Sequence, residues 1–240
     1  MQELQFLCLA VGRRDGGNCL AGIDLDSGKW IRPVNAKTHG AFADHEIIVV
    51  DGGTQKHRIL TPLDVLRIRL DRYVGSNVQP ENWEMAPAPH GDAYMVLRRF
   101  DSPQDANILI SYLDQNGPLL HSYSDRFSFD DLFSKRRLSH SLSIIKPEQL
   151  HWRVGPHPTY ANKMRVQAEF RFDDDPYPYC LVVTDSIWEI QCKRFGLGRH
   201  PHSMVAGNAH SQVLLTISLA EKPLNGFHYK LVAGVVNLTS

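Results

Sequence analysis

The sequence predicts a mainly β protein built as two small barrels in tandem, joined by a helical connector. Three observations lead there. Short apolar runs with two-residue alternation recur toward both ends of the 240 residues, the pattern of half-buried strands. Turn sequences such as Asp26-Ser27-Gly28 and Asp173-Asp174-Asp175-Pro176 break these runs at close intervals, with residue types suited to tight reversals. Between the two β-rich parts, near 101–140, the pattern becomes helical. Strands this short and frequent suit small barrels better than a parallel sheet, whose strands alternate with long helices. The expected division is a barrel over 1–100, a connector over 101–140 and a second barrel over 141–240.

In the first part the alternation predicts strands over 4–11, 19–25, 29–34, 46–50 and 63–70, and a proline-punctuated loop over 75–95. In the segment 63–70, Val65, Arg67 and Arg69 fall on one face and Asp64, Leu66, Ile68 and Leu70 on the other, because strand side chains alternate. Ser102-Pro103 then reads as an N-cap with proline in the first turn. The helix predicted over 104–113 places Ala106, Leu109, Ile110 and Leu113 at three- and four-residue spacing. A second short helical piece is expected over 127–138. Strands return over 142–145, 151–154, 164–172, 179–184, 213–219 and 229–238. Ser186-Ile187-Trp188-Glu189 has capping-box spacing and predicts a helix over 187–194.

Lys plus Arg and Asp plus Glu number 26 each, so no global field draws the chain to nucleic acid or anionic lipid, which argues against a purely electrostatic DNA binder. Four cysteines without a CxxC pair suggest buried thiols in a reducing compartment. With neither a signal-peptide pattern nor an apolar run of membrane-spanning length, the expected location is cytoplasmic, with no membrane partner. Searches for phosphate-loop, nucleophile-elbow, zinc-protease and dinucleotide patterns fail. His200, His202, His210 and Cys192 lack the tight paired spacing of a structural zinc site. No metal, cofactor or catalytic residue is predicted.

Four constellations remain. Trp30 and Arg32 share a strand face, with Arg67 and Arg69 as expected neighbours. A ring beside a guanidinium can stack a base; the plainer reading is a packed strand with a covering arginine. Arg13 and Arg14 before Gly16-Gly17 form a basic turn that could meet phosphate or simply be solvated. The run 135–171 holds Lys135, Arg136, Arg137, Lys146, Arg153, Lys163, Arg165 and Arg171 against Glu148 and Glu169, a local excess of six. Local excess steers an anionic strand whatever the total charge, although charge runs are commonly just solvated. Last come Asp185, Trp188 and Glu189, with the distant Lys230. Two carboxylates four apart on a helix can work on a proton or hold a metal, or they can merely cap it. Lys230 is expected to pair with Asp185 or to meet an anionic ligand.

The chain also resembles a known family. Cys19-Leu-Ala-Gly-Ile-Asp24 with Gly28-Lys-Trp-Ile-Arg-Pro-Val34, then Leu142-Ser-Ile-Ile-Lys-Pro147, Val183-Thr-Asp-Ser-Ile-Trp-Glu189 and the closing stretch from Ile217 to Val236 are similar, in order, to the dual OB-containing domain family of bacteria. The resemblance implies two OB-like barrels, a nucleic acid or nucleotide-like ligand, and a bacterial defence context. It implies no catalytic residues. Together these readings predict a binding module for single-stranded nucleic acid or a nucleotide-derived ligand. Its expected faces are Trp30, Arg32, Arg67 and Arg69 on one side, and Arg153, Lys163, Arg165, Arg171 and Lys230 on the other. The alternatives are an enzyme acting on nucleotides or nucleic acid through Asp185, Glu189 and Lys230, and a non-catalytic adaptor with a protein partner.

Overall fold

A computed structural model describes residues 2–14, 16–88, 93–132, 138–160, 162–207 and 212–238. Lys135, Arg136, Arg137 and His210 lie outside the described residues.

The first half has strands β1 (Gln2–Arg14), β2 (Gly17–Asp24), β3 (Trp30–Asn35), β4 (Ile48–Asp51), β5 (His57–Ile59), β6 (Asp64–Tyr73), β7 (Asn82–Met85) and β8 (Tyr94–Arg99). Five of them close a barrel in the order β1-β2-β3-β7-β6, with β6 returning to β1. The closure depends on the length of β1. Its first residues pair with β6, Gln2 opposite Leu70, while its later ones pair with β2, Arg14 opposite Gly17. β3 and β7 run parallel, with Arg32 opposite Asn82. β8, β4 and β5 continue the sheet beyond β6. The barrel is filled by Leu4, Phe6, Leu20, Ile31, Leu66, Ile68 and Leu70, all buried, which are the alternate residues of their strands.

The second half repeats that order. Its strands are β10 (Leu142–Ile145), β11 (Glu148–Pro156), β12 (Met164–Arg171), β13 (Tyr179–Val183), β14 (Gly198–Pro201), β15 (Gln212–Leu219) and β16 (Phe227–Leu238). They pair as β10-β15-β16-β13-β12-β11-β14. β10 and β11 do together what β1 does alone: they are split at Lys146-Pro147, β10 pairing with β15 and β11 with β12. The parallel pair recurs as β13 and β16, with Val182 opposite Leu231. Trp152, Val166, Ala168, Phe170, Leu181 and Val232 fill this core.

The segment between the barrels is not helical throughout. α1 (Pro103–Ser111) starts as expected, with Ser102 Oγ accepting from the Asp105 amide at 3.2 Å. It stops at Tyr112, and Gly117-Pro118 follows, residues that cannot carry a helix onward. Of the helical piece expected over 127–138, Arg126–Ser128 instead forms a strand, β9, which joins the second barrel by pairing with β16. Residues 129–132 are helical and 133–137 lie outside the described residues. α2 (Ser186–Lys193) and α3 (His202–Ala206) complete the fold.

The barrels are welded together. Leu7, Leu9, Ile23 and Val65 of the first share a buried cluster with Ile144, Leu214 and Val236 of the second. β1 and β16 approach so closely that a Cβ on Gly234 would stand 2.2 Å from the Leu9 carbonyl oxygen. Thr216 Oγ1 donates to that same oxygen at 2.9 Å.

Candidate nucleic-acid interface

Trp30 and Arg32 do share a face of β3, but that face meets the second barrel and not water. Trp30 is half-buried and packs against both inter-barrel clusters. Arg32 is buried. Its Nε and Nη2 donate to Glu81 Oε1 at 3.2 and 3.1 Å, and Nη2 also reaches Ser141 Oγ at 3.0 Å and Ser218 Oγ at 3.2 Å. Glu81 accepts from the Ser141 amide at 3.0 Å and from its hydroxyl. The expected open platform is therefore a buried ionic staple between domains. Alternation placed the two side chains on one face correctly; it carried no information on what covers that face.

Arg67 and Arg69 are not neighbours of this pair. β7 stands between β6 and β3, and the register sets Tyr73, not Arg67, beside Trp83 of β7. Arg67 is exposed and lies 3.8 Å from Glu3 across β1. The Asp185, Glu189 and Lys230 constellation does not assemble either. Asp185, not Ser186, caps α2: its Oδ1 accepts from the Trp188 amide at 2.9 Å and its Oδ2 from the Val235 amide at 3.0 Å. Burial pushes the Asp185 carboxyl up, against the pull of those amides. Glu189 pairs with Lys193 at 2.5 Å. Trp188 is core, with its ring 5.3 Å from Trp152 and stacked on His202 at 5.6 Å. Lys230 is buried and meets neither Asp185 nor an open surface. Its Nζ donates to the carbonyls of Leu119 and Ser122, each at 2.6 Å, and sits between the Phe127 and Tyr179 rings. Desolvation lowers its pKa to about 7.

Two features remain as a binding surface, and they adjoin. The first is a cleft of about 460 Å³ between the barrels. Its first-barrel wall comes from β1, β2, β3 and the 38–46 loop, and its second-barrel wall from Thr184, Ala220, Lys222, Leu231 and Ala233. Arg13 stands at its rim, with Nη2 within 2.7 Å of both Asp44 carboxylate oxygens. Hydrogen bonds from Asn18 and Arg13 hold the Asp44 carboxyl below its ordinary range. Arg14 closes β1 beside it.

The second is the outer face of β11, β12 and β13. Register aligns a row across it: Leu231 faces Val182, Val182 faces Gln167, Gln167 faces Arg153, and Arg153 faces Arg199 of β14. Every one of these side chains points away from the core, since their strand neighbours Val232, Leu181, Ala168 and Trp152 are buried in it. At about 4.8 Å per strand the row spans roughly 19 Å. Arg165 lies two residues along from Gln167 on the same face and bonds it at 3.4 Å. Glu169 is the acid that pairs with the row's arginines, 2.6 Å from Arg199 and 3.8 Å from Arg153. Arg171 is exposed and lies opposite Glu148. At the β12 entrance Lys163 lies over the exposed Tyr160 ring at 4.9 Å, and His157 packs on that ring at 4.8 Å. Thus Arg153, Lys163, Arg165 and Arg171 share one region of the second barrel, as the charge run suggested. Tyr160 is an aromatic interleaved in that run, whereas Arg199 and the cleft were missed. Arg199 is 34 residues from Arg165 in sequence, and only the β11–β14 pairing brings it near.

Two five-stranded barrels with strand order 1-2-3-5-4-1 and a parallel third and fifth strand are OB folds, a class that binds oligonucleotides and oligosaccharides. The profile of the dual OB-containing domain matches residues 4–235, and the chain belongs to that family. Comparison with curated proteins and with solved structures gives no match. No helix among the described residues is long and apolar enough to cross a membrane.

Proposed function

We propose that the protein binds single-stranded nucleic acid along the outer face of the second barrel. One observation carries the reading: the row from Leu231 ends on Arg153 and Arg199, and with Arg165 and Lys163 beside them it makes an outward cationic track on a chain of zero formal net charge. OB folds pair such grooves with aromatic rings on which bases stack. Tyr160, held against Lys163 and His157, supplies a ring at the β12 end. Phosphates would follow Arg165, Arg153, Arg199 and Arg171. A bacterial defence setting and a cytoplasmic location belong to the same proposal; Cys8, Cys180 and Cys192 are free thiols, which suits a reducing compartment.

The test is anisotropy with labelled single-stranded DNA and RNA across a salt series. For three to four phosphate contacts, log affinity is expected to fall with log salt at a slope of about −2 to −3. Arg165→Glu is expected to weaken binding about tenfold. No binding of either strand type at low salt sinks the proposal. A protein partner is the second reading, favoured by Ile187, Ile190 and Leu197, exposed at and just beyond α2. Under the strand reading, Ile187→Glu leaves strand affinity unchanged.

A further inference from the structure

We propose that the inter-barrel cleft binds one nucleoside phosphate, either free or as the terminal unit of a strand. The strand arm of this assignment rests on the track described above; the free-nucleotide arm does not.

The cleft is blind. Arg32, Gln79, Ser218 and Leu219 line it and are buried, with Gln79 Nε2 donating to the Leu219 carbonyl at 2.9 Å. Ala10, Ala21 and Ala233, which also line it, pack with Leu142 in one inter-barrel cluster. One side is sewn shut where the Arg13 amide donates to the Thr184 carbonyl at 2.7 Å. A continuous strand cannot thread such a space, but an end can enter it. The volume of about 460 Å³ falls within the roughly 300–1,000 Å³ of pockets that enclose small ligands.

The lining matches the two parts of a nucleotide. Ala10, Ala21, Ala41, Ala220 and Ala233 with the Phe42 ring make low, apolar walls suited to a flat base. Arg32 supplies the anion site. Glu81, Ser141 and Ser218 occupy its Nε and Nη2, so among the described residues Nη1 is the edge left for the cleft. A guanidinium already locked by its partners loses little freedom when phosphate arrives. Arg13 and Lys222 add cationic groups at the rim. The carboxylates that line the cleft are Glu46 and Glu221, and Glu46 is committed to Asn35 and the Ala43 amide at 2.7 and 2.8 Å. The cleft adjoins the track, because Leu231 lines the cleft and also begins the cross-strand row.

The experiment compares labelled oligothymidine octamers bearing a 5′-phosphate, a 3′-phosphate or two hydroxyl ends, with adenosine monophosphate and adenosine as competitors. One phosphorylated end is expected to bind at least tenfold tighter than the hydroxyl-ended strand, and the monophosphate, not adenosine, to remove that advantage. Ala220→Trp, which fills the cleft, is expected to abolish the end preference and leave hydroxyl-ended affinity within twofold. Ala43→Trp on the opposite wall serves if that variant does not fold. Equal affinity for all three ends with no monophosphate binding overturns the assignment, as does a folded, filled variant that keeps the preference. Monophosphate binding without any strand binding upholds the cleft and removes the track reading. Strand binding without end preference or monophosphate binding does the reverse.

Discussion

The two barrels share one strand order and use the same face in opposite ways. In the first, the outward side chains of β3 are covered by the second barrel, and the guanidinium found there is neutralised by Glu81. In the second, the outward side chains of β11 and β12 face water, and two arginines, Arg153 and Arg199, share Glu169 while Arg165 bonds the neutral Gln167. The difference teaches that a cation on an OB strand has no fixed meaning. Its role depends on whether the neighbouring domain or solvent lies opposite, which is a property of domain packing and not of the strand.

The comparison breaks most visibly at Arg32. Replacing it with alanine leaves the buried Glu81 carboxylate without its counter-charge, and removing one partner of such a pair costs about 3–5 kcal/mol. Urea unfolding is the measurement. A double cycle with Glu81→Gln is expected to recover part of the loss, since the orphaned charge goes with it. Loss below about 0.5 kcal/mol for Arg32→Ala would mean that the staple does not hold the barrels. The corresponding removal of Arg153, exposed on the second barrel, is expected to fall within about 0.5 kcal/mol.

Lys230 gives the next largest effect. Its pKa is lowered to about 7 when folded, against an ordinary 10.5. Between these values the unfolded chain holds more protons than the folded one, so this group's contribution to stability rises with pH through that window and is lost as pH falls toward 7. Lys230→Met removes the pH slope and orphans two carbonyls, at a cost of about 1–3 kcal/mol where the native amine is neutral. Unfolding at pH 6.5, 8 and 9.5 checks both. A gap between native and variant that narrows as pH rises would contradict the assignment.

These residues also show how far the sequence could be read. Alternation was enough for the longer strands and their inner faces, because burial on one side of a sheet enforces a period of two. The segment 75–95 expected as a loop, however, holds β7, which closes the first barrel, and the short β5 and β14 carried too few residues to show a period. The α1 cap was legible because Ser102-Pro103 acts locally. The partners of Arg32 lie 49, 109 and 186 residues away, and no local pattern encodes them. Lys230 was singled out as a charge heading an apolar strand, but its two carbonyl partners belong to a turn more than a hundred residues earlier. The basic track was half legible: Arg153, Lys163 and Arg165 fall in one run, whereas Arg199 arrives by strand pairing. The cleft was legible only in pieces: Arg13, Gly16, Gly17 and Arg32 were singled out and line it, but its alanine walls come from both barrels and no local pattern brings them together.

The finest test of the contrast is Glu169→Gln. Glu169 holds Arg199 at 2.6 Å and Arg153 at 3.8 Å on an exposed surface, where each pair is worth at most about 1 kcal/mol to stability. The substitution should therefore hardly change unfolding. It should strengthen strand binding, because two guanidinium groups lose a competing carboxylate at the moment phosphate approaches. A gain of about two- to fivefold at low salt is expected, together with a steeper salt dependence, since each additional phosphate neutralised contributes about −0.7 to the slope for single strands. In the first barrel the analogous change, Glu81→Gln, buries Arg32 without its carboxylate and is expected to destabilise. A Glu169→Gln variant that binds strands more weakly would mean that the acid orients the two arginines for the ligand and does not restrain them. The track would then be preorganised by an ion pair in the way the cleft is, and the contrast between the two barrels would narrow to exposure alone.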